Sequence, residues 1–277
     1  MASPVFFGGH DAVLCDLDGV VYAGDAAIDG AVRTLRELAE RGIAVAYVTN
    51  NASRSPQAVA AHLREFGLDA SAEQVFGSAA AGVSLLGEVL ADSTGPGTDP
   101  GAPATVLVVG SDFLRGEVER AGHRVVSSAA DGPDAVIQGF DPAVSWADLA
   151  QASYAVRKGA HWIATNADLT IPRAEGIAPG NGALIEAVSH ATGIRPRAAG
   201  KPEPLLFQRA AEAVGARHPL VVGDRLDTDI LGGNRAGYDT ALVLTGVDTE
   251  ATAGAATAAE RPTWIISGLP ELLGEPR

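Results

Sequence analysis

The sequence predicts an α/β protein, a parallel sheet covered by helices with a second, smaller α/β unit inserted into the chain. Short apolar runs ending in Gly, Asp, Thr or Asn alternate with longer amphipathic stretches. That is the pattern of strands buried on both faces between crossover helices. The rhythm breaks twice, at the Gly/Pro/Ala-rich "ADSTGPGTDPGAPA" (91–104) and at "GIRPRAAGKPEP", which follows the helical stretch "NGALIEAVSHATG". These breaks divide the 277 residues into a core of 1–79 plus 198–277 and an inserted α/β domain of 80–197.

The strands are expected at "AVLCDL", "IAVAYVTN", "TVLVVG", "DAVIQGF", "HWIATN", "PLVVGD", "TALVLTG" and "TWIIS". Between them, "AIDGAVRTLRELAERG" repeats Val32, Leu35 and Leu38 at helical spacing, and Gly42 supplies the stop. "SPQAVAAHLREFG" starts with Ser55 as cap and Pro56 at the first helical position. "SWADLAQASYAVRKG" opens on a Ser cap and closes on Arg157, Lys158 and Gly159, which suit the negative end of a helix. "VYAGDAA" predicts a short hairpin turning at Gly24-Asp25.

Composition narrows the function. A net charge of −14 leaves no basic surplus for a nucleic-acid backbone or an anionic membrane. No apolar run reaches the length of a membrane span, and "MASPVFFGGHDAV" lacks the features of a secretory signal. Cys15 is the only cysteine, which excludes an intramolecular disulfide and a cysteine zinc site and points to a cytoplasmic protein. None of the 6 histidines falls in a motif. Gly180-Asn181-Gly182 lacks a third glycine and follows a loop, so it is no dinucleotide fingerprint; it reads as a turn opening a helix at Ala183.

The chemistry is carried by strand ends, where ligands of open α/β sheets bind. Asp16 and Asp18 end the first run and share one face of an extended chain. "AYVTNNAS" ends in Thr49, Asn50 and Asn51, neutral groups suited to anionic oxygens. Lys201 precedes a proline at the start of a helix, where an isolated lysine is ordinarily solvated surface. "LVVGDRLDTDI" delivers Asp224, Asp227 and Asp229, with Asp227 expected to cap the following helix. Carboxylates gathered in this way call for a hard, oxygen-ligated cation such as Mg²⁺, which together with Lys201 admits a phosphate.

"DLDGVVY", "VTNN", "KPEP" and "GDRLDTDI", in that order, resemble the four motifs of haloacid dehalogenase superfamily phosphatases. The insertion and the "TNAD…PGNGAL" stretch resemble subfamily IIA, the branch of NagD-type, phosphoglycolate and glycerol-3-phosphate phosphatases. The resemblance implies a Rossmann-like core with a C2-type cap. It implies Asp16 as nucleophile and Asp18 as general acid and base, a role that requires Asp18 to hold a proton near neutral pH. Mg²⁺ would be held by Asp16, the carbonyl of Asp18 and Asp224, with Asp229 in the outer shell. Thr49, Asn50, Asn51 and Lys201 would bind the phosphate, and Asn51 would either touch it or order the loop. Asn166, Asp168 and Asn181 would face the substrate from the cap. Cap arginines 173, 195 and 197 would matter only where they reach the cavity.

The expected function is therefore Mg²⁺-dependent hydrolysis of small phosphate monoesters through an aspartyl phosphate. Phosphoglycolate, glycerol phosphate, nucleoside monophosphates and aryl phosphates are all candidate substrates. The alternatives are an aspartate phosphoacceptor switch and a silent phosphometabolite-binding protein. The expected partner is a small phosphorylated metabolite, and since caps of this branch take part in dimer contacts, a homodimer is a further expectation.

Overall fold

In the computed structural model, which describes residues 6–93, 103–173 and 175–274, the chain forms two compact units. The first comprises Met1–Thr49, Pro56–Phe76 and Lys201–Arg277, and the second Asn50–Ser55 and Gly77–Gly200. The expected insertion limits of 80 and 197 each shift outward, and Asn50–Ser55 joins the inserted unit. The reason is local. The strand Val75–Gly77 runs directly into the helix Ser78–Ser93 with no Gly/Pro punctuation between them. Of the expected linker 91–104, residues 91–93 complete that helix and 94–102 lie outside the described residues.

The first unit is built on a six-stranded sheet ordered Trp264–Ile266, Asp239–Val243, Pro219–Gly223, Ala12–Cys15, Ala44–Thr49 and Val75–Gly77. Ala12–Cys15 lies centrally and pairs in parallel with Pro219–Gly223 on one side and Ala44–Thr49 on the other. Helices cover both faces, so these strands read as unbroken apolar runs. Val13, Cys15, Val45, Tyr47, Leu220 and Val222 pack on one face with Leu35 and Leu38 of the helix Ala31–Glu40 and Leu63 of Pro56–Glu65. On the other face, the helix Leu205–Ala213 packs against Ala12–Cys15 and Ala44–Thr49.

The second unit holds a five-stranded parallel sheet, ordered Arg197–Ala198, His161–Ala164, Ala135–Gln138, Thr105–Val109 and Arg124–Val126. Leu107, Val136 and Trp162 form one face of its core with the helices Trp146–Arg157 and Asn181–Thr192. Ser145 caps the former as expected, its hydroxyl accepting from Asp148 N. Each of the eight expected strands is present, as is the hairpin Tyr22–Ala23/Ala26–Ala27. The strands not foreseen are short or exposed: three edge strands and the hairpin Thr170–Arg173/Gly176–Pro179. Among the described residues, no helix is long and apolar enough to cross a membrane.

Gln138, at the carboxyl end of a central strand of the second sheet, is 0% exposed. Neither its Nε2 nor its Oε1 has a hydrogen-bond partner among the described residues. An unmet buried amide costs about 1–3 kcal/mol, whereas an apolar group of the same shape does not. Gln138→Met is therefore expected to raise the thermal midpoint by a few degrees, about 1 kcal/mol of stability. A lower midpoint in a melting experiment would show that the amide finds a partner such as an internal water.

Candidate active site

Three adjacent parallel strands of the first unit end side by side, bringing Thr49, Asp16 and Asp224 to one edge of the sheet. Asp16 extends the ladder by one step, its N–H donating to Val222 O at 2.8 Å. Asp229 comes from a π-helical turn, Leu226–Ile230, in which the Ile230 N–H reaches back to Arg225 O at 3.1 Å. Lys201 lies just before the helix Leu205–Ala213 and is joined to Pro202 by a cis peptide bond.

These groups meet. One carboxylate oxygen from each of Asp16, Asp224 and Asp229 lies within 4.8 Å of the others. Lys201 Nζ donates to Asp16 Oδ1 at 2.5 Å, to Asp229 Oδ1 at 2.7 Å and to Val48 O at 3.2 Å. The lysine is only 3% exposed, so the solvated surface role usual for a loop lysine does not apply here.

The electrostatics follow from burial. Desolvation raises the Asp16 carboxyl above its ordinary range, with the Lys201 charge opposing it. Burial pushes Asp229 to about 6, again against Lys201. Burial pushes Asp224 to about 8, with the Asp16 and Asp229 charges adding to the effect. For Lys201, burial works against the charge, but Asp16 and Asp229 outweigh it and hold the ammonium above its usual value.

Fully ionised, three carboxylates and one ammonium leave two negative charges, the deficit one divalent cation fills. The donors are all oxygen, which suits Mg²⁺. Opposite ligands at Mg²⁺ bond lengths lie about 4.2 Å apart, close to the spacing of this cluster. Asp229 uses Oδ1 on Lys201 and Oδ2 on Arg225 N (3.2 Å), which fits an orienting group.

Asp224 is held by elements the sequence reading passed over. Its Oδ2 accepts from Val247 N at 2.8 Å. A Cβ on Gly246 would lie 2.0 Å from that oxygen, and one on Gly19, whose φ is +79°, would lie 2.3 Å from it. Both positions must be glycine for the carboxylate to sit there. Gly246 follows an ordinary strand end, and nothing local marks it.

The remaining expectations sort as follows. Asp18 is exposed on the loop after Asp16, and its charge adds to the field that raises Asp16. Thr49 is buried at its strand end. Cys15 is a buried hydrophobe whose thiol is pushed well up by burial. Asp227 does not cap the next helix: its carboxylate takes the Arg225 guanidinium at 3.0 and 2.9 Å, while Asp248 Oδ2 accepts from Leu226 N at 2.7 Å.

Asn50, Asn51, Asn166, Asp168 and Asn181 belong to the second unit. Asn51 orders its loop, Oδ1 accepting from both Ser53 N and Ser53 Oγ at 2.8 Å. Asn50 Nδ2 donates to Asp168 Oδ1 at 2.9 Å. Asn166 and Asn181 were expected to face a substrate; both are buried and donate to backbone carbonyls, of Asn50 (2.8 Å) and Asn166 (2.7 Å) respectively. The helix opens at Asn181 itself rather than at Ala183. Arg195 pairs with Glu186 on the surface and Arg197 is exposed, while nothing is described of the Arg173 side chain.

A haloacid dehalogenase-like hydrolase model matches residues 13–124, and an HAD-hydrolase-like model matches 198–272, together spanning all four motifs. The chain belongs to the haloacid dehalogenase-like hydrolase family, and its relatives there are phosphatases. It is 46% identical over 256 residues to D-glycerol 3-phosphate phosphatase of Mycobacterium tuberculosis, covering 92% of this chain and 69% of that protein. It is 40% identical over 242 residues to acid sugar phosphatase of Staphylococcus aureus, covering 87% and 88%. The solved structure of a Mycobacterium tuberculosis glycerol phosphate phosphatase in complex with magnesium is similar at a TM-score of 0.86 and 44% identity, covering 96% of this chain and 78% of that one.

Removing one partner of a buried ion pair leaves uncompensated charge and costs about 3–5 kcal/mol. Lys201→Met, measured in denaturant with a chelator present, is expected to lose stability on that scale, since Asp16 and Asp229 lose their shared cation. An unchanged midpoint would show that the carboxylates do not depend on it.

Proposed function

We propose that the chain is a Mg²⁺-dependent phosphatase of small phosphate monoesters, with glycerol 3-phosphate first among the substrates to test. The observation that carries this reading is the buried Lys201 gripping Asp16 beside Asp224 and Asp229. The names of the relatives favour a three-carbon or sugar phosphate over a nucleotide.

Asp16 is the nucleophile. Lys201 fixes one of its oxygens, so the carboxylate is held in one orientation before substrate arrives. A carboxylate oxygen of Asp16 forms a bond to phosphorus as the ester P–O bond breaks, and Asp18 gives its proton to the departing alkoxide. Asp18, now a carboxylate, takes a proton from water as that water attacks phosphorus. The P–O bond to Asp16 then breaks, releasing inorganic phosphate and restoring both side chains. The exposure of Asp18 suits a group that must meet both alcohol and water.

Asp16, Asp224 and the carbonyl of Asp18 would hold Mg²⁺, which supplies positive charge against the phosphate oxygens. Thr49 and Lys201 would hold the transferring group, and Asp229 orients Lys201. The field of three carboxylates would otherwise repel a phosphate. We further place the protein in the cytoplasm, its single cysteine being buried and unreactive, and we expect a homodimer.

Phosphate release should be measured from pure protein with Mg²⁺ across a panel of phosphometabolites. Asp16→Asn should reduce release to background for every ester, and turnover persisting in that variant would remove Asp16 as nucleophile. Asp18→Asn should lower kcat by roughly 10²–10⁴-fold, the usual contribution of a positioned acid and base. A smaller loss in steady-state kinetics would assign the proton transfer elsewhere.

A further inference from the structure

Within the second unit, three segments far apart in sequence converge on one peptide group. The carbonyl of Asn50 accepts two side-chain hydrogen bonds, from Ser78 Oγ at 2.7 Å and from Asn166 Nδ2 at 2.8 Å. The Asn50 side chain is held as well, Nδ2 donating to Asp168 Oδ1 at 2.9 Å. Asp168 is oriented in turn, its N–H donating to Asn166 Oδ1 at 3.2 Å. Behind Asn166 stands Asn181, whose Nδ2 donates to the Asn166 carbonyl. A Cβ at position 200 would lie 2.6 Å from Asn50 Oδ1 and 2.5 Å from Thr165 O, so the chain closes around the Asn50 amide.

Asn166 thus spends both ends of its amide on the main chain, one on Asn50 O and one on Asp168 N. A buried side chain used in this way fixes a peptide plane, since each unmet backbone group would carry a desolvation cost. The plane it fixes belongs to the residue directly after Thr49, the last residue of the strand Ala44–Thr49, whose hydroxyl is assigned to the phosphate in the reading above.

We propose that Ser78, Asn166 and Asp168 are positioning residues that set the turn at Thr49–Asn51, and that none of them contacts the leaving group of the substrate. The proposal rests on the phosphatase reading above for its kinetic consequence. The phosphoryl group is common to every monoester, so disturbing the turn weakens all substrates by the same factor. A leaving-group contact would instead weaken them unequally.

The test uses full-length Asp168→Ala, Asp168→Asn and Ser78→Ala with Mg²⁺, comparing kcat/KM for glycerol 3-phosphate and p-nitrophenyl phosphate. Asp168→Ala and Ser78→Ala should each lose about 10- to 100-fold, the scale of a small misplacement remote from the chemistry. The two substrates should agree within about threefold. Asp168→Asn keeps an acceptor for Asn50 Nδ2 and should recover most of the loss. Losses that differ between the substrates by more than about tenfold, or an Asn variant as damaged as the Ala variant, would overturn the proposal.

Amide hydrogen exchange over 50–55 gives a readout without turnover. It should accelerate by about tenfold or more in the two Ala variants and return toward the parent in Asp168→Asn. Unchanged exchange would refute the network by itself. If the parent releases phosphate from neither ester, the phosphatase reading fails, and the exchange result alone decides on the positioning role.

Discussion

The site depends on one buried cation between two buried anions. Lys201 sits 2.5 Å from Asp16 and 2.7 Å from Asp229, with all three side chains inside the protein. At an effective dielectric of about 20, a unit pair at 4 Å gains about 4 kcal/mol, and the cost of desolvating each ion is also several kcal/mol. Such an arrangement adds little net stability. What it provides is order: an ammonium bound to both carboxylates cannot turn away from either, so Asp16 and Asp229 are both held in place. The surrounding fold exists to make that burial possible. Strand ends open on one edge of the sheet, and the helix Leu205–Ala213, packed across two of the strands, anchors the chain that follows Lys201.

The same balance explains why Asp224 stands apart. Asp16 and Asp229 share the lysine, whereas Asp224 relies on one backbone donor, Val247 N, and on the space two glycines leave it. Its carboxyl is accordingly pushed up to about 8, by burial and by its two anionic neighbours. A group left in that condition is one whose usual partner is a cation from outside the chain.

Much of this was legible because the chemistry is placed by strands, and strands buried on both faces are plain in sequence. "AVLCDL", "AYVTN" and "LVVGD" each show where an apolar run stops and a polar group begins, and each polar group stands at the sheet edge. Legibility failed where the cause was a long-range contact. Gly246 is required by the position of an aspartate 22 residues earlier in the chain, and Asp248 caps Leu226 across a similar gap. The short edge strands were missed because they carry too few residues for a period to emerge. The insertion limits were missed because the helix at Ser78 begins without the punctuation that usually marks a boundary.

The asparagines show a subtler failure, and a general one. A polar side chain in a loop of an α/β protein reads as a candidate ligand contact, and the setting of Asn166 and Asn181 in "TNAD" and "PGNGAL" invites that reading. An asparagine, however, carries the same donor and acceptor as a peptide group and can stand in for one wherever the main chain lacks a partner. Asn166 does so twice, and Asn181 donates to the Asn166 carbonyl. Composition cannot separate the two uses, because both need the same side chain at a turn. Burial separates them: Asn181 is 1% exposed, and its Nδ2 is spent on the Asn166 carbonyl of its own loop.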